Sequence, residues 1–104
     1  MPNKFRLYIE PEVLTDIQDA VDYYMAINPK LALQFFQTID KQFLTLQKNH
    51  SSFAIRYDNI RCLPLKKFPY MIHYSVLSEE KTVSINAVFC THQNPENWTK
   101  RNKH

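Results

Sequence analysis

The side chains best suited to chemistry in this sequence are two histidines and a set of basic residues. His73 and His92 carry imidazoles, which exchange protons near neutral pH. Lysines and arginines attract anions, and seven of the thirteen in this chain form two groups. The groups are Arg56, Arg61, Lys66 and Lys67 in the middle of the chain, and Lys100, Arg101 and Lys103 near its C-terminus. These residue types favour acid–base chemistry or binding on an anionic partner.

The acidic residues are concentrated in a different part of the chain. The net charge is +3, yet five of the ten acids fall between residues 10 and 22. They are Glu10, Glu12, Asp16, Asp19 and Asp22. One surface is therefore expected to suit an anionic partner, whereas another repels it.

The composition excludes several classes of protein. The chain contains no glycine, so it has neither a P-loop nor a dinucleotide-binding fingerprint. Cys62 and Cys90 lack metal-ligand spacing and are expected to be reduced and buried, with no metal or cofactor bound. With 104 residues and no apolar run of about 20, we expect a single domain over 1–104 in the cytoplasm, without a signal peptide or membrane contact.

The hydrophobic spacing predicts one strand followed by two helices. Residues 5–9 alternate like a half-buried strand, and apolar side chains then recur at three- and four-residue steps. Pro11 is suited to the first turn of a helix that we expect to span about 11–27. Asn28 and Pro29 are an N-cap and a first residue for a second helix, to about Asn49. The expected apolar faces include Val13, Leu14, Ile17, Val21 and Tyr24, then Ala32, Phe35, Phe36, Ile39, Phe43 and Leu46.

From residue 53 onward the pattern is typical of strands. Runs at 60–66, 70–77 and 82–90 are rich in β-branched and aromatic residues and predict a three-stranded antiparallel meander. Pro64 suggests an edge strand or a bulge. The order predicts an α+β domain in which an antiparallel helical hairpin packs on one sheet face and the N-terminal strand joins the sheet.

Strand alternation then sorts the side chains into two faces. The more apolar face is expected to meet the helices and consists of Tyr70, Ile72, Tyr74, Val76, Val83, Ile85, Ala87 and Phe89. The other face carries His73 and Asn86, with His92 just beyond it. A working surface on the sheet would be this mixed face.

The order of these segments resembles the RelE/ParE family of toxins from type II toxin–antitoxin systems, along essentially the whole chain. The resemblance rests on VDYYMAINPKLALQFFQTI, IRCLPLKKFPYMIHYSV, AVFCTHQNPENW and a final Arg101. Within these, the most specific positions are Arg61, Lys67 to Tyr70, Ile72, Tyr74, His92, Pro95, Trp98 and Arg101.

The resemblance implies a toxin that arrests bacterial growth when free and contributes to plasmid stabilisation. Its partner would be a cognate antitoxin, which silences it in a hetero-oligomer. The RelE-like branch of the family consists of metal-independent endoribonucleases that cut mRNA in the ribosomal A site. The ParE-like branch inhibits DNA gyrase and is not enzymatic.

The RelE-like branch cleaves RNA through the 2′-hydroxyl, which requires a base, an acid and cations for the developing charge. Here the candidate catalytic residues are His92, Arg61 and His73. The candidate nucleic-acid-binding residues are Lys66, Lys67, Arg56, Lys100 and Arg101. The chain departs from the RelE-like pattern by carrying Met71 where an arginine is expected, and Trp98 roughly where a tyrosine is expected.

Each candidate also has a structural interpretation. The histidines would be hydrogen-bonded residues of the sheet, Arg61 would pair with Asp58 or cap the sheet, and the lysines would be solvated. The two long helices and Met71 favour the ParE-like branch. A non-catalytic RNA-binding or degenerate toxin-like module is a further alternative, although an RRM-type aromatic signature and a KH-type glycine loop are both missing.

Overall fold

A computed structural model describes residues 5–92 as a five-stranded sheet with two helices packed on one face. The helices are α1 (Pro11–Ile27) and α2 (Pro29–Asn49). The strands are β1 (Arg6–Ile9), β2 (Ile55–Tyr57), β3 (Ile60–Pro64), β4 (Tyr70–Leu77) and β5 (Thr82–Cys90). Short 3₁₀ turns at His50–Ser52 and Ser78–Glu80 connect α2 to β2 and β4 to β5. The predicted α+β class and both helix spans are confirmed.

Asn28 separates the two helices and caps the second. Its side-chain oxygen accepts a hydrogen bond from the Lys30 backbone N–H at 2.9 Å, and Pro29 follows as the first helical residue. The extended backbone at Asn28 also donates its own N–H to Tyr24 O, closing α1. One residue therefore ends α1 and begins α2, which forces the tight antiparallel hairpin that the sequence predicted.

We expect Asn28→Ala to lower the free energy of unfolding by about 1 kcal/mol, because the first turn of α2 loses its side-chain acceptor. Asn28→Asp is the matched control, since it keeps an oxygen in the same place and should change stability much less. Urea unfolding followed by circular dichroism measures both. An Asn28→Ala midpoint equal to that of the parent chain would contradict this capping role.

The strand order is β1-β5-β4-β3-β2, with β1 parallel to β5 and the other neighbours antiparallel. The N-terminal strand joins the sheet as predicted, and Leu7 lies opposite Val83 on the helix side. The meander has four strands instead of the predicted three. β2 was missed because it has only three residues and two of them are exposed.

Pro64 does not mark an edge strand, because β2 forms that edge and β3 lies inside it. However, β2 pairs only with Ile60 and Arg61, at the start of β3. Pro64 is the last residue of β3, opposite Met71 of β4, and lies beyond the reach of β2. Its missing N–H therefore costs no hydrogen bond between β2 and β3.

A β-bulge in β5 reverses which side chains in the second half of that strand face the helices. Tyr74 pairs with Ile85 but His73 pairs with Ala87, so Asn86 is an extra residue on β5. Ile85 and Val88 consequently both pack under the helices. The prediction that Ala87 and Phe89 face the helices is therefore wrong, because the bulge turns both residues to the opposite face.

Two apolar clusters hold the sheet from its two sides. The larger lies between helices and sheet, and its fully buried members include Phe35, Leu46, Ile72, Tyr74 and Ile85. The smaller lies on the other face and consists of Cys62, Met71, Ala87 and Phe89, with Tyr57 packed against it. The sheet face that we predicted to be an open working surface is thus partly covered by a second core.

Candidate functional site

His73 is fully buried, so the prediction that it lies on an open working face is wrong. Its Nδ1 lies 3.0 Å from the Tyr57 hydroxyl and 3.5 Å from Cys62 Sγ. The ring also packs against Phe89 at a centroid distance of 5.1 Å. The bulge explains the error, because it brings Ala87 and Phe89 onto this face beside Met71 and surrounds the imidazole with apolar groups.

Cys62 belongs to the same buried cluster as His73. Burial raises the pKa of the Cys62 thiol, and Arg56 nearby lowers it in part. The neutral thiol is therefore the favoured form, which is typical of an inert structural cysteine. Both cysteines are free; Cys62 is buried as predicted, whereas the prediction that Cys90 is buried is wrong, because it is only half-buried at the end of β5.

Arg61 lies on the helix side of the sheet, away from His73. It is the cross-strand partner of Tyr74, and its Nη1 donates a hydrogen bond to Phe53 O at 2.6 Å. The half-buried guanidinium thus holds the segment that follows α2 against the sheet. The two structural alternatives for Arg61 were a pair with Asp58 and a cap on the sheet. The contact with Phe53 corresponds to the second alternative.

His92 is exposed and follows the end of β5 at the opposite end of the strands from Arg61. It lines a cavity with Tyr23, Tyr24 and Tyr70, beside α1. The three candidate catalytic residues are therefore not brought together: one is buried on the second face, and the other two lie apart on the helix side.

The candidate nucleic-acid-binding residues within residues 5–92 lie in two places. Lys66 and Lys67 are exposed in the loop between β3 and β4, and Arg56 is exposed in β2. Lys100 and Arg101 lie outside the described residues, as does Trp98. Met71, at the position of the expected RelE-like arginine, is buried at 8% exposure and supplies no charge there.

A groove along the helical hairpin was missed by the sequence analysis. Leu14 and Phe36 were expected in the core but are 61% and 53% exposed. They line a cavity of about 450 Å³ whose other walls include Val21, Met25 and Leu33. The available signal was the number of apolar residues in the two helices, which exceeds what one buried face can hold.

Comparison with known proteins agrees with this architecture. Residues 7–95 match the family model described as the ParE toxin of the type II toxin–antitoxin system parDE. The chain belongs to this family. No curated protein matches the toxin's sequence.

Two experimental structures resemble the toxin in fold. A chain of the chromosomal ParDE toxin–antitoxin system from P. aeruginosa is 24% identical, with a TM-score of 0.73, over 85% of this toxin and 97% of that chain. A mutant of the E. coli toxin RelE in the free state is 14% identical, with a TM-score of 0.67, over 96% of each chain. Both support the predicted RelE/ParE-like fold.

Residues 5–92 lack two further kinds of feature. No helix in that range has the length and apolar character needed to cross a membrane. Among the same residues, no group of three or more histidine, cysteine or acidic side chains is placed to hold a metal ion.

At least three tyrosines of the toxin should ionise late, because burial raises the pKa of Tyr24 as well as those of Tyr70 and Tyr74. Burial raises the pKa of Tyr70 and of Tyr74 to about 12, although nearby Arg61 lowers the latter. The Tyr74 hydroxyl also donates to His50 O at 2.7 Å. Because the folded pKa is above the unfolded value of about 10, this contribution to stability is complete below pH 10 and is lost as pH rises through about 12.

We therefore expect a late tyrosinate step, or unfolding by base, between about pH 10 and 12. Absorbance at 295 nm follows ionisation, and far-UV circular dichroism follows folding. A variant with Tyr70→Phe and Tyr74→Phe should lose most of the late step, and Tyr24, whose pKa burial also raises, should account for the remainder. A single ionisation step near the ordinary value in the parent chain would refute the expectation.

Proposed function

We propose that this toxin arrests growth by inhibiting DNA gyrase in the ParE-like manner, and that it works in the cytoplasm under the control of a cognate antitoxin. The observation that carries the proposal is the separation of the candidate catalytic residues. His73 is buried on the sheet face opposite the helices, and Arg61 donates a hydrogen bond to Phe53 O on the helix side. The ParE family match supports the same branch.

Cleavage of RNA through the 2′-hydroxyl would require a different arrangement. A base and an acid must reach atoms on either side of one phosphate, with a cation close to its oxygens. Met71 contributes neither charge nor a proton, and the His73 imidazole is shielded from any substrate phosphate. The described residues therefore favour a toxin that acts by binding its target.

Binding to an antitoxin accounts for the exposed apolar surface of the hairpin. Leu14, Met25, Leu33 and Phe36 are each at least half exposed and line one groove. A contiguous apolar surface of this kind is typical of protein–protein contact sites. We propose that an antitoxin segment covers this groove in a toxin–antitoxin hetero-oligomer.

Induction of the toxin gene alone, then together with the neighbouring small reading frame, tests toxicity and rescue. Pulse labelling after induction should show DNA synthesis falling first, and purified toxin should inhibit supercoiling of relaxed plasmid by gyrase. The matched control is the same toxin preincubated with its antitoxin. If translation stops first and transcripts are cut within codons, the ribonuclease mechanism replaces this proposal.

A further inference from the structure

A second groove of the toxin runs between α1 and the ends of β4 and β5. It consists of two adjoining cavities of about 450 and 350 Å³, which share Tyr23, Tyr70 and Cys90 as walls. We call it the tyrosine groove. His92 also lines the larger cavity, but Arg61 and His73 line neither cavity, and the tyrosine groove shares no lining residue with the hairpin groove.

Three aromatic rings give the tyrosine groove its shape. Tyr24 is buried at 7% exposure and forms an inner wall, with Tyr23 edge-on at 5.1 Å and Tyr70 at 6.2 Å between ring centroids. Tyr23 is 60% exposed at the mouth. The groove therefore combines an ordered interior with an accessible ring, which can pack against a flat side chain from a partner.

The charges beside the rings are negative. Asp16 and Asp19 of α1 line the end of the groove nearest β5, and no lysine or arginine within residues 5–92 lines either cavity. The Asp16 carboxylate accepts a hydrogen bond from Val88 N at 3.0 Å, so it has a structural role. Asp19 is exposed and forms no ion pair within the described residues, so its charge is available at the mouth.

The chemistry of the groove selects among possible occupants. A nucleic acid base would stack on tyrosine, but its phosphates would be repelled by the acidic residues of α1. A guanidinium suits both the tyrosine rings and the acidic residues, because its flat face stacks on an aromatic ring while its N–H groups pair with a carboxylate. Lysine would satisfy the charge without the stacking.

We propose that the tyrosine groove receives an arginine side chain of the antitoxin, stacked on Tyr23 and paired with Asp19. The proposal rests on the proposed function in that the partner is the antitoxin. It assigns to this groove the charge-dependent part of the contact, separate from the apolar contact at the hairpin.

Calorimetry of the full-length toxin with the product of the neighbouring reading frame provides the test. Asp19→Asn removes the charge while keeping the shape, and should weaken binding about tenfold. Tyr23→Leu removes the ring face and should weaken binding about fivefold. Glu79→Gln and Tyr8→Leu make the same changes at exposed positions outside the groove, and should stay within about twofold.

Replacing each antitoxin arginine by glutamine then identifies the occupant. One such variant should lose affinity for the parent toxin but not for the Asp19→Asn toxin, since the pair is already broken. If no arginine shows this coupling, or if Asp19→Asn and Tyr23→Leu bind normally, the arginine site is wrong while the proposed function stands.

Two other outcomes would also overturn the inference. Absence of binding by the parent toxin would remove the proposed function and this inference together. A melting temperature of the free Asp19→Asn toxin several degrees below that of Glu79→Gln would show that Asp19 is engaged within the chain itself. The expected result is equal melting temperatures for these two free variants.

Discussion

Replacing Phe35 by alanine should lower the free energy of unfolding by about 3–5 kcal/mol, one of the largest effects expected from a single substitution in this toxin. Phe35 is fully buried, and its ring lies 5.3 Å from Phe68 and 5.1 Å from Tyr70, both in edge-to-face contact. Removing it leaves a cavity where α2, the β3–β4 loop and β4 meet, and these ordered elements cannot fully collapse into it.

The adjacent Phe36 provides a matched control. It has the same side chain on the same helix but is 53% exposed, so Phe36→Ala should cost no more than about 1 kcal/mol. Urea unfolding of the two variants measures the difference directly. Equal losses at both positions would mean that α2 does not present Phe35 to the core as described.

Replacing His73 by alanine should lower the free energy of unfolding by about 2–4 kcal/mol, because a fully buried ring is removed from the second cluster. The Tyr57 hydroxyl and the Cys62 thiol also lose the imidazole nitrogen beside them. In cells, we expect toxicity to decline only in proportion to the amount of folded protein.

His92→Ala is the control for this substitution, because His92 is exposed and its loss should change stability by less than about 0.5 kcal/mol. Growth arrest is scored at a temperature where the His73→Ala variant remains folded by circular dichroism. A folded His73→Ala variant without toxicity would give His73 a direct part in activity and would count against a purely structural role.

The helices were predictable because residues at their own ends determine where they begin and end. Pro11 begins α1, and Asn28 with Pro29 ends one helix and begins the next, so no distant contact is needed to place them. The first strand was also predictable, since Leu7 and Ile9 alternate with exposed residues and pack against the core. Asp58 and Asn59 supply the left-handed turn between β2 and β3, and these two residue types tolerate a positive φ better than most in a chain without glycine.

The candidate site was not predictable to the same degree because it depends on pairing between strands. The bulge at Asn86 arises where β5 meets β4, and the sequence of β5 alone reads as an unbroken alternation. One extra residue moved Ala87 and Phe89 across the sheet and enclosed His73. Arg61 illustrates the same limit, since its acceptor Phe53 belongs to a segment with no regular pattern.

The strands of the sheet are longest near its centre and shortest at its two edges. β4 and β5 have eight and nine residues, whereas the outer strands β1 and β2 have four and three. Short outer strands offer few unpaired backbone groups to another molecule, which limits strand-to-strand aggregation. Under the proposed function, this shape would limit pairing between edge strands of toxin molecules that their antitoxin has released.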